Sequence, residues 1–480
     1  MKVDQNSALL SEILALARAG ATARAWDRFV AAGLSEVMSD AAALTLKGRL
    51  LKDRARKTQG DTKARLFLQS AKAYASASGV RPDSYPLINA ATMSLFAGQP
   101  DHMELLAQRV LTMLDTGMGA GETAYWHEAT RAEALLLLGR QGDAQTALDK
   151  AIVAAPAAWE DRAATLRQFR QILEFRGQTC GWLAGYAPPT SLYFKGMIGI
   201  APDDQHAANM ARDAISSANA GFGYGALAAG ADILIAEALV ENGGELHLVL
   251  PILSSVFRTQ SVVPYGEAWL PRFDRLFEQA SSVTVVAAGD QLTGAAIDFA
   301  AQVTKGAAIE NARRLESRAE GLELNDSPSA EFEPATDVFI ALKRSATLPP
   351  ATLASGSLLA TVVSDYAGSN AETYKSVGGG YYSLSAVSLA SVAKLLIQLR
   401  QAAPDARCAV SAAADETTDD DAQIAKTLRM AKCAATGTSV ADAATTKALL
   451  SISPTLRTEP LGELPDAGGA VDIYAVEPVG

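Results

Sequence analysis

Four glycines stand close together near the middle of the chain, directly before a run of apolar residues. They are Gly221, Gly223, Gly225 and Gly230, and the stretch that ends at Leu239 is apolar at helical spacing after them. This order predicts a glycine-rich loop, then a helix, then a strand. Glycines in such a loop let the backbone approach a phosphate, and the helix N-terminus offers unpaired N–H groups. The alternative is a tight turn that packs a helix closely on a strand and binds no ligand.

The other residue types that often carry chemistry are scattered along the chain. Neither the three cysteines nor the four histidines fall at the spacing of a zinc site or a disulfide framework, so we expect neither. These residues are Cys180, Cys408, Cys433, His102, His127, His206 and His247.

Length and composition limit the class of protein. The chain has 480 residues, 49% of them hydrophobic and 20% charged, which predicts a soluble protein of roughly two to four domains. Its net charge of -11 argues against a nucleic-acid partner or an anionic membrane surface. No apolar run is long enough to span a membrane, and the first residues lack a signal-peptide core. We therefore expect a cytoplasmic protein.

Residues 1–185 are rich in alanine and leucine at helical spacing and are predicted to be helical. Within them, Tyr125–Pro156 contains two amphipathic helices that meet at a turn between Gly139 and Gly142. This segment resembles a tetratricopeptide repeat, whose period is about 34 residues. Earlier helices fit degenerate copies of the repeat: Leu9–Ala19, Ala23–Ala32, Ala41–Lys52, Ala64–Ser78, Tyr85–Ala97 and Met103–Leu114.

A second resemblance covers the same region. The segment YPLINAATMSLFAGQ (Tyr85–Gln99), followed by Tyr125, Trp126 and the repeat, resembles the TRAFs-binding domain of signalling proteins. The resemblance implies a surface that holds a protein or peptide partner. We find no convergent cluster of charged residues in the sequence, which favours a protein over a small molecule. The alternative is a helical cap that only packs on the next domain.

Residues 186–325 alternate strands with helices, which predicts a parallel α/β domain. After the glycine loop and its helix, a strand ends at Pro251. The other predicted elements are the strand Ser191–Gly196, the helix His206–Asn219, the helix Leu270–Gln279, the strand Ser282–Ala287 and the helix Ala295–Ser317.

Three segments of this region together resemble a SLOG domain, a Rossmann-like fold that senses nucleotides. They are SLYFKGMIGIAPDD, FGYGALAAGADILIAEALVENGGELHLVLP and SVVPYGEAWLPRFDRLFEQASSVTVV. The resemblance implies that Glu237 faces either a ribose or an outer salt bridge. It also implies a nucleotide pocket lined by Gly196, Gly223, Gly225, Gly230 and Asp232.

The same resemblance favours binding over hydrolysis. Members that hydrolyse nucleotides carry a PGGxGTxxE catalytic loop, which this sequence lacks. Asp203 and Asp204 follow the first loop, and an acidic pair near a phosphate is unfavourable unless a cation intervenes.

After a polar connection, Gly321–Pro350, the sequence predicts an α+β domain over residues 357–480, so that 326–356 is a linker. An apolar run in that connection, Val338–Leu342, is a candidate strand. The predicted elements of the domain are the strand Leu358–Ser364, a hairpin over Tyr374–Val387, the helix Ser388–Gln401, the strand Arg407–Ser411, the helices Asp420–Ala434 and Ala441–Leu450, and the strand Ala470–Val476.

In order and content this region resembles a class III nucleotide cyclase domain. Asp365 in SDYAGS matches a metal-binding aspartate of that family, Lys375 in YKSVGGG a base-reading lysine, and Arg429 in AKTLRMA a transition-state arginine. The resemblance implies Mg²⁺ at Asp365 and a dimer, either of two identical chains or with a different chain.

Several departures from the cyclase pattern argue against catalysis. Gly379 stands where a second metal aspartate belongs, and Ala425 or Gln423 stands where the family has a ribose-orienting asparagine. Only Ser369–Thr373 separates the first strand from the hairpin. The acidic run Asp415–Asp421 offers substitute ligands, but a solvated loop is the simpler interpretation. We interpret the domain as a pseudo-cyclase.

The leading hypothesis is a non-catalytic signalling protein. In it the helical repeat recruits a protein, the SLOG domain senses a nucleotide of unknown identity, and the pseudo-cyclase is a dimerisation or regulatory surface. The alternatives are a cyclase that is active only in a complementary dimer, a SLOG-type nucleotide or NAD hydrolase, and a helical adaptor whose other domains bind nothing.

Overall fold

The computed structural model describes residues 2–18, 22–117, 123–347, 353–367, 374–386, 388–414, 420–466 and 469–477. The chain divides into two compact units, Met1–Pro188 and Pro189–Gly480. The first unit is helical and the second contains two β-sheets with helices. A helical N-terminal region followed by two α/β regions agrees with the predicted multidomain organisation.

The first unit is a series of helices, most of them packed on the next helix along the chain. Gly98 and Gly139 end two of them in the same way, at φ values of 70° and 76°. The amide that follows each glycine bonds back to a carbonyl five residues earlier, which is the Schellman motif of a helix end. The recurring turn produces repeated helical hairpins. The helices are α1 (Lys2–Arg18), α2 (Thr22–Ala31), α3 (Ala41–Arg56), α4 (Gly60–Val80), α5 (Ser84–Phe96), α6 (Pro100–Asp115), α7 (Ala124–Leu137), α8 (Gln141–Ala154) and α9 (Trp159–Phe175).

The first sheet of the second unit is parallel, with strand order β4-β3-β2-β1-β5-β6. The chain proceeds from β1 outward to β4, returns through one long helix, α14, and continues with β5 on the other side of β1. The strand order therefore reverses between β1 and β5. The elements are β1 (Thr190–Gly196), α10 (Gln205–Ser217), β2 (Ala220–Gly225), α11 (Ala231–Glu241), β3 (Glu245–Leu250), α12 (Ser254–Ser261), α13 (Leu270–Gln279), β4 (Ser282–Val285), α14 (Gly294–Arg314), β5 (Ala319–Asn325) and β6 (Asp337–Ala341).

The predicted glycine loop is wrong in its first half, because that half is strand β2. A side chain at Gly223 would collide with Leu239 of α11, and one at Gly225 would collide with the ring of Phe194. These two glycines are therefore required for α11 and β1 to pack closely around β2. The loop itself is only residues 226–230.

The predicted polar connection Gly321–Pro350 is also wrong in part, because it includes most of β5 and all of β6. Both strands are paired in the first sheet, and the candidate strand at Val338–Leu342 corresponds to β6. Strand β5 was not predicted because its glutamates are typical of a polar connection. One of them, Glu323, is buried because it accepts hydrogen bonds from the amide and hydroxyl of Ser329.

The second sheet is mainly antiparallel, with strand order β12-β13-β11-β10-β7-β9-β8. Its helix α17 packs against α14 of the first sheet. Gly306 of α14 has no side chain, and the carbonyl of Lys447 in α17 occupies the space that a side chain would need. The elements are β7 (Leu359–Ser364), β8 (Lys375–Gly378), β9 (Tyr381–Ala386), α15 (Leu389–Ala402), β10 (Cys408–Ala413), α16 (Asp420–Cys433), β11 (Ser439–Asp442), α17 (Ala443–Ile452), β12 (Arg457–Asp466) and β13 (Gly469–Glu477).

Candidate functional site

A cleft of about 1030 Å³ opens at the carboxyl ends of the first sheet, where the strand order reverses. Its walls come from β1, β5 and the end of β3, the loop after β2, helices α12 and α14, the end of α17, and the segment between β5 and β6. In open α/β sheets, ligands bind at this place. The cleft is therefore the candidate site in the second unit.

Asp232 is the most unusual residue of the cleft. It lies in the first turn of α11, is only 7% exposed and lines the cleft. The amide of Ala228 donates to its Oδ2 at 3.2 Å, whereas no described residue makes a hydrogen bond with its Oδ1. Leaving a buried carboxylate oxygen unpaired costs free energy, so a ligand donor that reached this oxygen would be stabilising.

Burial raises the pKa of Asp232 to about 7, although the backbone amides of Ala228 and Gly196 favour its ionised form. The desolvation penalty therefore exceeds the help from these two amides. The group changes its charge near neutral pH, which is common for carboxylates at functional sites.

The predicted glycines divide between the cleft and its support. Gly196 ends β1 and lines the cleft, and a side chain there would collide with Ala231 of α11. Gly230 has a φ of +116°, and a side chain there would meet the carbonyl oxygen of Met197 at 2.6 Å. Gly223 and Gly225 pack against α11 and β1, as described above. Close packing accounts for all four, and their role in nucleotide binding stays a prediction.

Several amides of the glycine loop already have acceptors within the protein. Ala228 donates to Asp232, Ala229 to the carbonyl of Ser261, and Ala231 to the carbonyl of Met197 at 3.1 Å. These amides are those that a phosphate at the loop would require. The loop is thus built to hold Asp232 and the start of α11 in place.

Glu237 takes part in an ion-pair network. Arg272 and Arg275 of α13 both donate to its carboxylate, the latter at 2.5 Å. Arg272 also donates to the carbonyl of Pro202 and stacks 4.3 Å from the centre of the Trp269 ring. Of the two roles that the sequence left open for Glu237, the contacts favour the outer salt bridge. The nearby Asp204 caps α10 by accepting from the amide of Ala207.

The cleft also contains two lysines that sequence reasoning missed. Lys195 of β1 pairs with Glu331 at 2.8 Å, and Lys305 of α14 pairs with Glu333 at 3.4 Å. Both glutamates belong to the segment between β5 and β6. The sequence signal was present in SLYFKG, where Tyr193 and Lys195 alternate with Phe194 and so point to the face opposite α11.

The cyclase-like residues lie apart from this cleft, on the second sheet and its helix α16. The side chain of Asp365 accepts the amide of Arg407 at 2.8 Å, and Lys375 pairs with Asp421 at 4.0 Å, with both side chains exposed. Arg429 is exposed on α16. In the part of the chain that the structure describes, no group of three or more His, Cys, Asp or Glu residues could hold a metal. The segment 369–373 and most of the acidic run, residues 415–419, lie outside the described residues.

The helical unit contains a convergent charged cluster, contrary to the sequence-based expectation. Lys52 donates to Asn89 at 3.2 Å, and Glu133 accepts from Thr92 and Gln168 at 2.5 Å and 3.1 Å. Burial lowers the pKa of Lys52 to about 8 and raises that of Glu133. Helices α3, α5, α7 and α9 thus meet through what we call the inner polar cluster: Lys52, Arg56, Asn89, Thr92, Glu133, Gln168 and Gln171.

A protein-family model described as Tetratricopeptide Repeats-Sensor matches residues 2–94. The N-terminal region is tetratricopeptide-like. The match covers the degenerate early helices α1 to α5, whereas the repeat that was clearest in the sequence, Tyr125–Pro156, lies beyond it. No curated protein and no solved structure gives a match. Among the helices described, none is both long and apolar enough to cross a membrane.

Proposed function

We propose that this is a sensor protein whose second unit binds a nucleotide-derived ligand in the cleft and whose tetratricopeptide-like unit holds a protein partner. The observation that carries the proposal is Asp232, a buried carboxylate in the wall of the cleft whose Oδ1 has no hydrogen-bond partner among the described residues. Ribose hydroxyls and the amino groups of bases are donors that pair with such an oxygen. The SLOG resemblance of the surrounding segments supports the same ligand class.

The signalling role of the helical unit is supported by the family match and by the general use of such repeats. Repeat proteins of this kind present extended surfaces to proteins or peptides. A protein or peptide partner is therefore the expected binding target of this unit.

The second sheet is proposed to be a pseudo-cyclase that provides an interaction surface. Strands β10, β7, β9 and β8 stand side by side in that order, as the strands of a ferredoxin-like core do, which supports the cyclase resemblance. The Asp365 carboxylate already accepts the Arg407 amide. Cyclisation needs metal ions that polarise the phosphates, and a single carboxylate holds them poorly.

The pseudo-cyclase assignment predicts no turnover. Incubation of the full chain with each nucleoside triphosphate and Mg²⁺ or Mn²⁺ should give no cyclic nucleotide above a protein-free blank. Cyclic product that disappears in Asp365→Ala would replace this assignment with an active cyclase.

The cleft assignment predicts that Asp232 determines affinity for nucleosides. Calorimetry of the full chain against the common nucleosides at pH 8 should detect binding, and Asp232→Asn should weaken it about tenfold or more, since a charged hydrogen bond is worth about 1.5–3 kcal/mol. Asp203→Asn, an acid outside the cleft wall, is the matched control and should bind like the wild type. Equal affinity of the wild type and Asp232→Asn would overturn the proposal.

A further inference from the structure

The acidic character of the cleft conflicts with a phosphate-bearing ligand. Two lysines line it, Lys195 and Lys305, against six carboxylates: Asp232, Asp298, Glu323, Glu331, Glu333 and Asp337. A nucleotide would bring further negative charge into this field, which disfavours binding. The hydrogen bonds of these carboxylates distinguish those that are fixed from those that can move away from the lysines.

Two of the six, Glu323 and Asp337, each accept several hydrogen bonds within the protein. Glu323 accepts from the amide and hydroxyl of Ser329. Asp337 accepts from the hydroxyls of Tyr193 and Thr336 and from the amide of Glu333. Glu323 belongs to β5 and Asp337 to β6, and their hydrogen bonds with Ser329, Glu333 and Thr336 hold the segment between the two strands in place.

Glu331 and Glu333 are different, because their carboxylates are exposed and their main contacts are the ion pairs with the cleft lysines. Glu333 also accepts the Thr336 hydroxyl at 3.5 Å, and the Ser329 side chain hydrogen-bonds Glu331. Their side chains are 71% and 62% exposed, whereas Lys305 is only 17% exposed. The Lys305–Glu333 distance of 3.4 Å is longer than a strong charge-assisted hydrogen bond. Exposed ion pairs of this kind contribute little stability, so their carboxylates exchange readily for a better anion.

The two lysines are positioned by rigid elements. Lys195 extends from β1 on the same face as Tyr193, and the Lys305 ammonium lies 5.4 Å from the centre of the Tyr193 ring. Lys305 comes from α14, which packs along β1 and β5. If only the glutamate side chains move away, the ammonium groups of the two lysines therefore stay in position and face the cleft.

We propose that Lys195 and Lys305 form an anion subsite for the phosphate groups of the ligand, and that Glu331 and Glu333 mask this subsite until the ligand displaces them. The proposal deepens the nucleotide-binding function and rests on it for the ligand class. A phosphate offers up to two charges and three acceptor oxygens, so it pairs with the lysines better than a single exposed carboxylate does.

Pyrophosphate tests the subsite without a nucleoside. Calorimetry of the full chain at low salt should give binding that strengthens at least about fivefold in Glu331→Gln/Glu333→Gln, because two competing charges are removed. Lys195→Met/Lys305→Met should lose pyrophosphate binding. The control Asp143→Asn/Glu241→Gln removes two exposed acids that pair with Arg140 and Arg212 elsewhere, and it should match the wild type.

The subsite is overturned if pyrophosphate binds equally to the wild type and the glutamate double variant, if the lysine double variant binds as well as the wild type, or if none of the proteins binds. Adenosine, measured in parallel, separates this proposal from the proposed function. If adenosine binds but the glutamate substitutions do not change the affinity for pyrophosphate, the subsite is rejected and the nucleoside site is retained. If the glutamate substitutions strengthen pyrophosphate binding but adenosine does not bind, the nucleoside site is rejected and the anion subsite is retained.

Discussion

Two regions of this protein bury charged groups, and the two regions differ in the hydrogen-bond partners that these groups find. In the inner polar cluster, Glu133 receives two side-chain hydrogen bonds and lies near the positive charge of Lys52. In the cleft, Asp232 receives the amide of Ala228, while its Oδ1 stays unpaired among the residues described. A satisfied buried charge fixes the arrangement of the helices around it. An unsatisfied one at the carboxyl ends of a parallel sheet indicates a place for a ligand.

The largest effect that we predict concerns the support of the cleft. Gly230→Val should lower the free energy of unfolding by about 2–4 kcal/mol, because a β-branched residue is strained at a φ of +116° and its side chain would meet the Met197 carbonyl. Urea unfolding of the full chain measures this. In the helical unit, a side chain at Gly142 would have no neighbouring atom within 4 Å, so Gly142→Ala should leave stability unchanged or slightly raised. If Gly230→Val abolished ligand binding at full stability, the glycine would serve the ligand instead of the packing.

A matched pair of carboxylate-to-amide changes tests the comparison itself. At pH 8, Asp232→Asn should raise the free energy of unfolding by up to a few kcal/mol, since the buried carboxylate is then ionised and each pKa unit corresponds to about 1.4 kcal/mol. Glu133→Gln should change it by less, because two donors and Lys52 offset part of the desolvation that raises the pKa of Glu133. Urea unfolding of both variants gives the two changes. Equal stabilisation by the two substitutions would mean that the two regions do not differ in the way described.

The Asp232 effect should depend on pH in a defined direction. Its pKa in the folded protein, about 7, lies above the unfolded value of about 3.9, so the folded state binds the proton more tightly. The wild type therefore loses this contribution as pH rises from about 4 to 7, and the loss is complete above pH 7. The stability advantage of Asp232→Asn should be greatest at pH 8 and shrink as the pH falls to 5. A constant advantage would contradict the assignment.

The smallest effect concerns the periphery of the cleft. Arg275 is 54% exposed and shares Glu237 with the better buried Arg272. Arg275→Ala should cost about 0.5 kcal/mol of stability, as exposed ion pairs do, and leave nucleoside affinity unchanged. Thermal unfolding and calorimetry check both statements. A clear loss of affinity would return Glu237 to the ligand-binding residues.

The sequence predicted the kinds of elements well, because helical and alternating periodicities are local signals. Helices α3 to α8 and strands β1, β7 and β10 coincide with segments predicted from apolar spacing alone. Strand β5 was missed since its glutamates resemble a polar connection, and the hydrogen bonds from Ser329 that permit Glu323 to be buried cannot be inferred from spacing. Strand β2 was assigned to a loop because glycines disfavour strands unless close packing requires them.

The candidate site was predicted in part. Gly196 and Asp232 do lie in the cleft wall, since the order of strand, loop and helix places them at the carboxyl ends of neighbouring strands. The cleft lysines and the inner polar cluster could not be found in this way. Each brings together residues far apart in the chain, such as Lys305 with Glu333 or Lys52 with Glu133, and only the packing of whole elements determines such contacts.

A crystal structure of the full chain with the ligand that co-purifies with it, once mass spectrometry has identified that ligand, tests the central claim most directly. We predict a nucleotide-derived molecule in the cleft, with a hydroxyl or amino group that donates to Oδ1 of Asp232 at hydrogen-bond distance. A ligand bound elsewhere, or one in the cleft that leaves this oxygen unpaired, would contradict the account.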